Sequence, residues 1–338
     1  RTSLSKALLA GKAHKEKLAL RSAEFYRDLE IDLKLNSRVV SVDPGSKMLE
    51  LADGSRESGN MILLASGSAP RLLEIKGFEG PGAHLLRDLD QAVRLTDQLE
   101  NTGTAVLIGA GFIALEAAAS LRDRGVAVHV VAPEETAMEG IFGSEAGGRI
   151  MEIHRAAGVE FHMGHTVREV LREAGSVAGV VLDTGERIEA ELVLMAVGVS
   201  PVLDYLHGSD LVQDGAVPVN GRFETTEPGV FAAGDIALFP RAGGQSRIEH
   251  WITAQKQGIH AANAMLGSES AFDDVPVFWT KQYTYSFKYT GYGERFDQVV
   301  FNGSLAEDSW IAGYYSGGRL CGAATLGRGK ALLALRDV

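Results

Sequence analysis

The stretch from Thr104 to Glu135 constrains the fold of this chain more than any other. It opens on Thr104-Ala105-Val106-Leu107-Ile108, an apolar and partly β-branched run suited to a strand buried on both faces of a parallel sheet. The run leads into Gly109-Ala110-Gly111-Phe112-Ile113-Ala114, a G-x-G-x-x-A sequence. Leu115 to Arg124 is rich in Ala and Leu and free of Pro and Gly until Gly125, which predicts a helix of about three turns closed by a glycine. Val126 to Val131 supplies the second strand of a βαβ unit. In such a unit the first glycine permits the tight turn and the second lets the backbone approach a pyrophosphate. The small third residue lets helix and strand pack closely. The N–H groups and dipole at the helix start favour phosphate charge. Alone, a G-x-G-x-x-A is weak; flanked by strand, helix and strand it points to a nicotinamide dinucleotide.

The acidic residue that holds a ribose 2′-hydroxyl belongs at the end of the second strand. Ala132 stands there, with Pro133, Glu134 and Glu135 after it, so the acid is displaced and Glu134 is the candidate. No Arg or Lys stands there to receive a 2′-phosphate, so NADH is expected over NADPH.

The 338 residues, 45% of them hydrophobic, can build two or three domains. No 18-residue apolar run marks a membrane span. A net charge of -11 argues against a nucleic-acid binder, which needs basic surface to displace counterions. The single cysteine, Cys321, fits a reducing compartment such as the cytoplasm and leaves no dithiol through which electrons could pass. No metal-ligand spacing stands out.

In chain order, a helical pattern runs from Lys15 to Tyr26, and Ile31 to Val42 reads as strands broken at Asn36-Ser37. Turn signals at Asp43-Pro44-Gly45 and Asp53-Gly54 mark a meander. Met61 to Ala65 is an apolar strand that delivers Ser66-Gly67-Ser68-Ala69-Pro70 to a turn. A helix near Asp88 to Glu100 precedes the βαβ unit. A helix from Ser144 to Ala157, a strand from Val159 to Met163 and a turn-linked pair at Val177–Leu182 and Arg187–Glu191 follow it. Leu192 to Val197 closes in Gly198-Val199-Ser200-Pro201, which repeats the earlier order of meander, apolar strand, Gly and Pro. Two dinucleotide-binding domains of related architecture are therefore expected. Phe223 to Asp235 reads as a strand ending in Gly234-Asp235 at a helix start, and Glu249-His250-Trp251 precedes a helix from Thr253 to Leu266. Beyond Val275 the chain turns to aromatic strands with seven basic and five acidic residues, a mildly basic domain on an acidic body.

Several separate motifs then fall in one family's order: Arg1 with Leu4-Ser5-Lys6, Leu20-Arg21 with Phe25-Tyr26, Leu64 to Ser68, Gly109 to Glu116, Val197-Gly198 with Pro201, Gly229 to Asp235, and Phe278-Trp279. On these the chain resembles the apoptosis-inducing-factor and ferredoxin-reductase branch of FAD-dependent pyridine nucleotide reductases. The resemblance implies an α/β fold of two Rossmann-like domains plus a C-terminal α+β interface domain. The FAD domain would be discontinuous, 1–88 with 207–268, the NAD(H) domain 89–206, and the interface or dimerisation domain 269–338, which leaves a homodimer open. It implies that Arg1, Lys6, Arg21 and Asp235 contact FAD, with Ala65, Ser66, Gly67 and Gly234 at its strand ends. Lys6 would pair with Glu116 beside the flavin as the catalytic pair. Gly109, Gly111, Phe112, Ile113 and Gly198 would line the NAD site; Glu249, His250, Trp251 and Trp279 would border the isoalloxazine.

Two departures from the family pattern stand in the sequence. One is the displaced acid after Val131. The other is the family's first βαβ unit, which holds the FAD adenosine and is expected before Arg1, so the FAD domain reads as N-terminally incomplete. The expected activity is transfer of electrons from NADH through FAD to an iron-sulfur protein such as a ferredoxin or Rieske centre. Reduction of a small radical such as monodehydroascorbate, and a non-catalytic NADH-responsive binding module, stand as alternatives.

Overall fold

The computed structural model describes residues 3–241, 243–293 and 295–335, without the Leu333 side chain. Its centre is a five-stranded parallel sheet in the order Ala83–His84, Leu192–Met195, Thr104–Ile108, Ala127–Ala132, Val159–Met163. Thr104–Ile108 has partners on both edges and layers on both faces, which is why its sequence is apolar without alternation. Leu107, Val128 and Val130 face the helices Phe112–Arg122 and Glu139–Ala156. Val106, Ile108 and Val131 face an antiparallel meander, Val167–Glu173, Ser176–Leu182 and Arg187–Glu189.

A second core gathers the three-stranded meander Val39–Asp43, Met48–Leu51 and Arg56–Ser58 with a parallel pair, Ile62–Leu64 and Val230–Ala232. The helix Trp251–Met265 packs there through Ala261. The strands that follow Gly67 and Gly198 pair with each other, Ser68–Pro70 antiparallel to Val199–Pro201. The aromatic tail is a five-stranded antiparallel sheet in the order Val277–Gln282, Tyr285–Gly291, Arg319–Leu326, Ser309–Ser316, Gln298–Ser304, followed by the helix Gly329–Leu335. It docks on the helix Glu139–Ala156: Arg149 makes two hydrogen bonds to Asp308 (2.9 and 3.0 Å), and Tyr314 donates to the Phe142 carbonyl at 3.0 Å.

Local expectations and structure part company in a few places. The pattern from Lys15 to Tyr26 is not one helix: a single turn at Lys15–Lys17 stops, and Ala23–Asp28 starts afresh because Ser22 accepts the Phe25 N–H at 3.3 Å. Between Ile31 and Val42 only the end, from Val39, is a strand. The helix of the βαβ unit begins at Phe112, three residues before the apolar periodicity suggested, since Gly111 is its N-cap. Gly234-Asp235 opens a single tight turn before the strand Ala237–Arg241, not a helix. No helix among the described residues is long and apolar enough to cross a membrane.

Candidate functional site

A cleft of about 390 Å³ opens where the three parts of the chain meet. Leu4, Ser5 and Lys6 reach it from a wide helical turn, Leu4–Leu8, of the rare kind with bonds five residues back that recurs at functional sites. Gly111, Phe112, Ile113 and Glu116 come from the start of the βαβ helix, and Ala196, Gly198 and Val199 from the end of the neighbouring strand. Glu249, His250 and Trp251 arrive at the start of the helix Trp251–Met265, and Phe278 and Trp279 on the first strand of the C-terminal sheet.

Lys6 and Glu116, 110 residues apart in number, meet here with Nζ and Oε1 2.6 Å apart. Glu116 is 7% exposed, and its second oxygen accepts from Ser5 Oγ at 2.5 Å while Oε1 also accepts from Thr280 Oγ1 at 2.7 Å. A carboxylate this far from water needs such donors, and each comes from a different element. Behind it the hydrogen bonds continue through Thr280 to Gln282 (3.4 Å), to His154 (2.9 Å) and to the Tyr283 hydroxyl (3.2 Å). Burial drives the His154 imidazole down to about 4.

A second cation stands across the cleft. Arg87 donates from Nη2 to Asp235 Oδ2 at 2.9 Å and from Nε to the Ser68 carbonyl at 2.7 Å; both side chains of the pair are nearly buried. Arg247 in turn bridges the Asp235 carbonyl (3.0 Å) and the Glu249 carboxylate (2.6 Å). His250 packs on Phe278 at 4.2 Å between ring centres, and burial lowers its imidazole to about 4, against the pull of Asp235. Its Nδ1, like Ser68 Oγ, is buried with no hydrogen-bond partner among the described residues. Trp251 and Trp279, each about half exposed, meet edge-on at the rim with ring centres 6.4 Å apart.

The glycines of the turn divide their work. Gly109 has φ +104, and a Cβ there would lie 2.6 Å from the Ala196 carbonyl, so it is required by the neighbouring strand. At Gly111 a Cβ would meet nothing within 4 Å; the room lies on the cleft side, in front of a helix whose first backbone bond is Leu115 N–H to Gly111 O. The N–H groups of Phe112 to Ala114 thus have no partner within the helix and are available to an anion.

Other residues expected at the site are placed elsewhere. Arg21 sits on an exposed segment, bonded to the Leu20 carbonyl and stacked 5.1 Å over Phe25, and does not line the cleft. Ala65 and Ser66 line a second, apolar cleft of about 720 Å³ beside the strand Ile62–Leu64, where Ser66 Oγ donates to the Val202 carbonyl at 2.7 Å. Gly67 and Gly234 spend a backbone group each within the protein: the Gly67 carbonyl accepts from Val202, and the Gly234 N–H donates to Gln257. Glu134 is exposed at the carboxyl end of Ala127–Ala132, outside the cleft lining. Arg1 lies outside the described residues. Sequence reasoning missed Arg87, Ser5 and Thr280 as working parts of the site. Arg87 and Thr280 belong to no local motif, and Ser5 stands in the Leu4-Ser5-Lys6 run without a local sign of its role.

With this geometry in hand, the sequence profile of the pyridine nucleotide-disulphide oxidoreductases matches residues 1–258. The chain belongs to that family. A reductase C-terminal profile matches residues 277–338. Apoptosis-inducing factor 3 of Mus musculus is 36% identical over 319 residues, 93% of this chain and 52% of that protein; the chain thus spans about half the length of this relative. Rhodocoxin reductase of Rhodococcus erythropolis is 31% identical, covering 100% of this chain and 80% of its own length. Among solved structures, a ferredoxin reductase from Rhodopseudomonas palustris superposes with a TM-score of 0.95 at 32% identity, over 100% of this chain and 84% of that one. The fold is accordingly that of the ferredoxin reductases: two Rossmann-like cores and a C-terminal antiparallel sheet.

Proposed function

We propose that the chain acts as an FAD-dependent NADH reductase that passes electrons to an iron-sulfur protein of the ferredoxin or Rieske type. Residues 1–88 with 207–268 would hold FAD, 89–206 NADH, and 269–338 would face the acceptor. The observation that carries this reading is the meeting of Lys6 and Glu116 at the head of the dinucleotide-binding helix, in a cleft walled by all three parts.

The residues present fit a flavin ring system. The walls at Leu4, Phe112, Ile113 and Phe278 are apolar, and the lining residue His250 carries a buried Nδ1 without a hydrogen-bond partner among the described residues. When bound, the flavin supplies acceptance of a hydride from nicotinamide and release of electrons singly. Everything else falls to side chains. Lys6, held by Glu116, keeps a positive charge at the cleft wall where it needs no reorganisation to stabilise negative charge that develops there. Ser5 and Thr280 fix the orientation of Glu116, and Asp235 neutralises Arg87. Gly111 and the helix start receive the dinucleotide phosphates. Cys321, buried and bonded to the Tyr314 carbonyl, has no second thiol to form a dithiol, so a disulfide substrate is disfavoured against a one-electron acceptor.

The test is the visible spectrum of the purified chain, reconstituted with FAD, followed by anaerobic stopped-flow reduction with NADH. Lys6→Met should slow flavin reduction at least tenfold while NADH affinity changes less than about twofold, the pattern of an interaction made in the transition state. Reduction at the parent rate would remove the pair from the mechanism. Uptake of FAD and binding of NADH without any NADH-dependent flavin reduction would favour the non-catalytic module.

A further inference from the structure

We propose that His129, Glu160 and His162 form a binding site for a divalent transition-metal ion of the Zn²⁺ class, on the meander-side face of the central sheet and separate from the cleft. Parallel register sets His129 beside Glu160, and Val131 beside His162. Period-two alternation then turns all three side chains to one face, while Val128, Val130 and Phe161 turn to the helices. This is the same face on which Val106, Ile108 and Val131 support the meander, at the margin where that cover ends and solvent begins.

The three side chains converge. His129 Nδ1 lies 3.2 Å from His162 Nε2 and 3.6 Å from Glu160 Oε2, and the three ligand atoms all lie within 4.8 Å of one another. Two ligands bound at about 2.05 Å in a tetrahedron stand about 3.3 Å apart, so the imidazole pair already has the spacing of one edge. The histidine side chains are only 17% and 16% exposed, held by their strands, whereas Glu160 is 72% exposed and free to swing in. The other nitrogen of His162, Nδ1, faces the Glu186 carboxylate at 3.9 Å, on the turn that joins two meander strands. At 3.9 Å this carboxylate is within ion-pair reach but beyond a hydrogen bond; closing that gap would supply the partner that fixes a metal-bound histidine in the required tautomer. Two imidazoles and one carboxylate suit Zn²⁺, and by affinity order Ni²⁺ or Cu²⁺, over the oxygen-seeking Mg²⁺ and Ca²⁺. Among the described residues no other group of three His, Cys, Asp or Glu side chains converges this way. A bound ion would staple the strands Ala127–Ala132 and Val159–Met163 to each other.

The full chain without an affinity tag, stripped with chelator and dialysed, is titrated with ZnCl₂ and with MgCl₂ by calorimetry. One Zn²⁺ per chain at micromolar or tighter affinity is expected, with no saturable Mg²⁺ heat. His129→Asn and His162→Gln should each weaken Zn²⁺ at least 30-fold, and the exposed Glu160→Gln and Glu186→Gln, which leave the strands untouched, about tenfold. CoCl₂ in place of zinc should give the intense visible absorption of a tetrahedral ion, lost in the histidine variants. Absence of saturable binding, a pale octahedral cobalt spectrum, or parent-like affinity in the His129→Asn/His162→Gln double variant would each overturn the site.

Discussion

The Lys6–Glu116 pair makes a quantitative demand that does not depend on any bound cofactor. Its two side chains are 26% and 9% exposed, between a surface pair worth at most about 1 kcal/mol and a buried pair whose one-sided removal costs about 3–5 kcal/mol. At an effective dielectric of about 20 and a charge separation near 4 Å the attraction is about 4 kcal/mol before desolvation is subtracted. Lys6→Met leaves the Glu116 carboxylate buried with only the Ser5 and Thr280 hydroxyls, so it should destabilise by about 3 kcal/mol. Glu116→Gln can keep one hydroxyl bond as it stands and must reverse the other, its amide nitrogen donating to a hydroxyl, and it leaves a lysine that can still reach water, so it should cost about 1.5 kcal/mol. The double variant removes both charges and should cost about 2.5 kcal/mol, a coupling of about 2 kcal/mol. Urea unfolding of the four proteins, read by tryptophan fluorescence, measures the cycle. Because the pair is largely shielded, the coupling should survive in 0.5 M KCl. A coupling below about 0.5 kcal/mol, or one that disappears with salt, would show a solvated surface pair and refute the reasoning.

Gly111→Val places a side chain in the open space before the helix start, so NADH affinity by calorimetry should fall at least tenfold, about 1.4 kcal/mol, and NADH should bind more tightly than NADPH to the parent. His154 is fully buried with its imidazole lowered to about 4, so between pH 6.5 and pH 4 the unfolded chain takes up a proton that the folded chain refuses. Stability is therefore highest above pH 6.5 and falls by up to about 3 kcal/mol as pH drops to 4 on this account; urea midpoints of His154→Gln should show a correspondingly flatter acid limb. Reduction of an acidic ferredoxin by the FAD-reconstituted protein should slow as KCl rises, owing to the mildly basic C-terminal part, while a small neutral acceptor such as a quinone should be much less affected; equal slopes would remove the docking role.

What the sequence made legible divides along the range of the interactions involved. The βαβ unit was readable because its strand, turn, helix and strand are contiguous, and the strand Val159–Met163 because its apolar pattern and bounding glycines are local. The segment from Ile31 to Leu35 alternates like a strand, yet Ile31, Leu33 and Leu35 are exposed and the segment joins no strand ladder among the described residues. Alternation declares a face but cannot supply the edge that would pair with it. The site divides in the same way. Thr280 reaches Glu116 across 164 residues, Arg87 reaches Asp235 across 148 and Ser5 reaches Glu116 across 111. No periodicity or turn rule connects positions so far apart. Lys6 and Glu116 could be paired beforehand only through family resemblance.

The repeated order of apolar strand, glycine and proline shows how a correct local reading can still miss the reason for a residue. Both glycines sit at positive φ values that favour glycine, +70 at Gly67 and +96 at Gly198, as a turn at a strand end requires. Their carbonyls, however, serve the opposite repeat: Gly67 accepts the Val202 N–H at 2.9 Å, and Gly198 accepts the Arg71 N–H at 3.0 Å. Val202 and Arg71 are the residues immediately after Pro201 and Pro70, so each repeat's exit is bonded to the other's turn around the short antiparallel pair Ser68–Pro70 and Val199–Pro201. This reciprocal stitch carries Gly198 and Val199 to one wall of the cleft, and it sets the Ser68 carbonyl where Arg87 can hold it while also holding Asp235. The duplicated layout thus does more than provide two Rossmann-like units: the paired exits join the two units beside the cleft that holds Lys6 and Glu116.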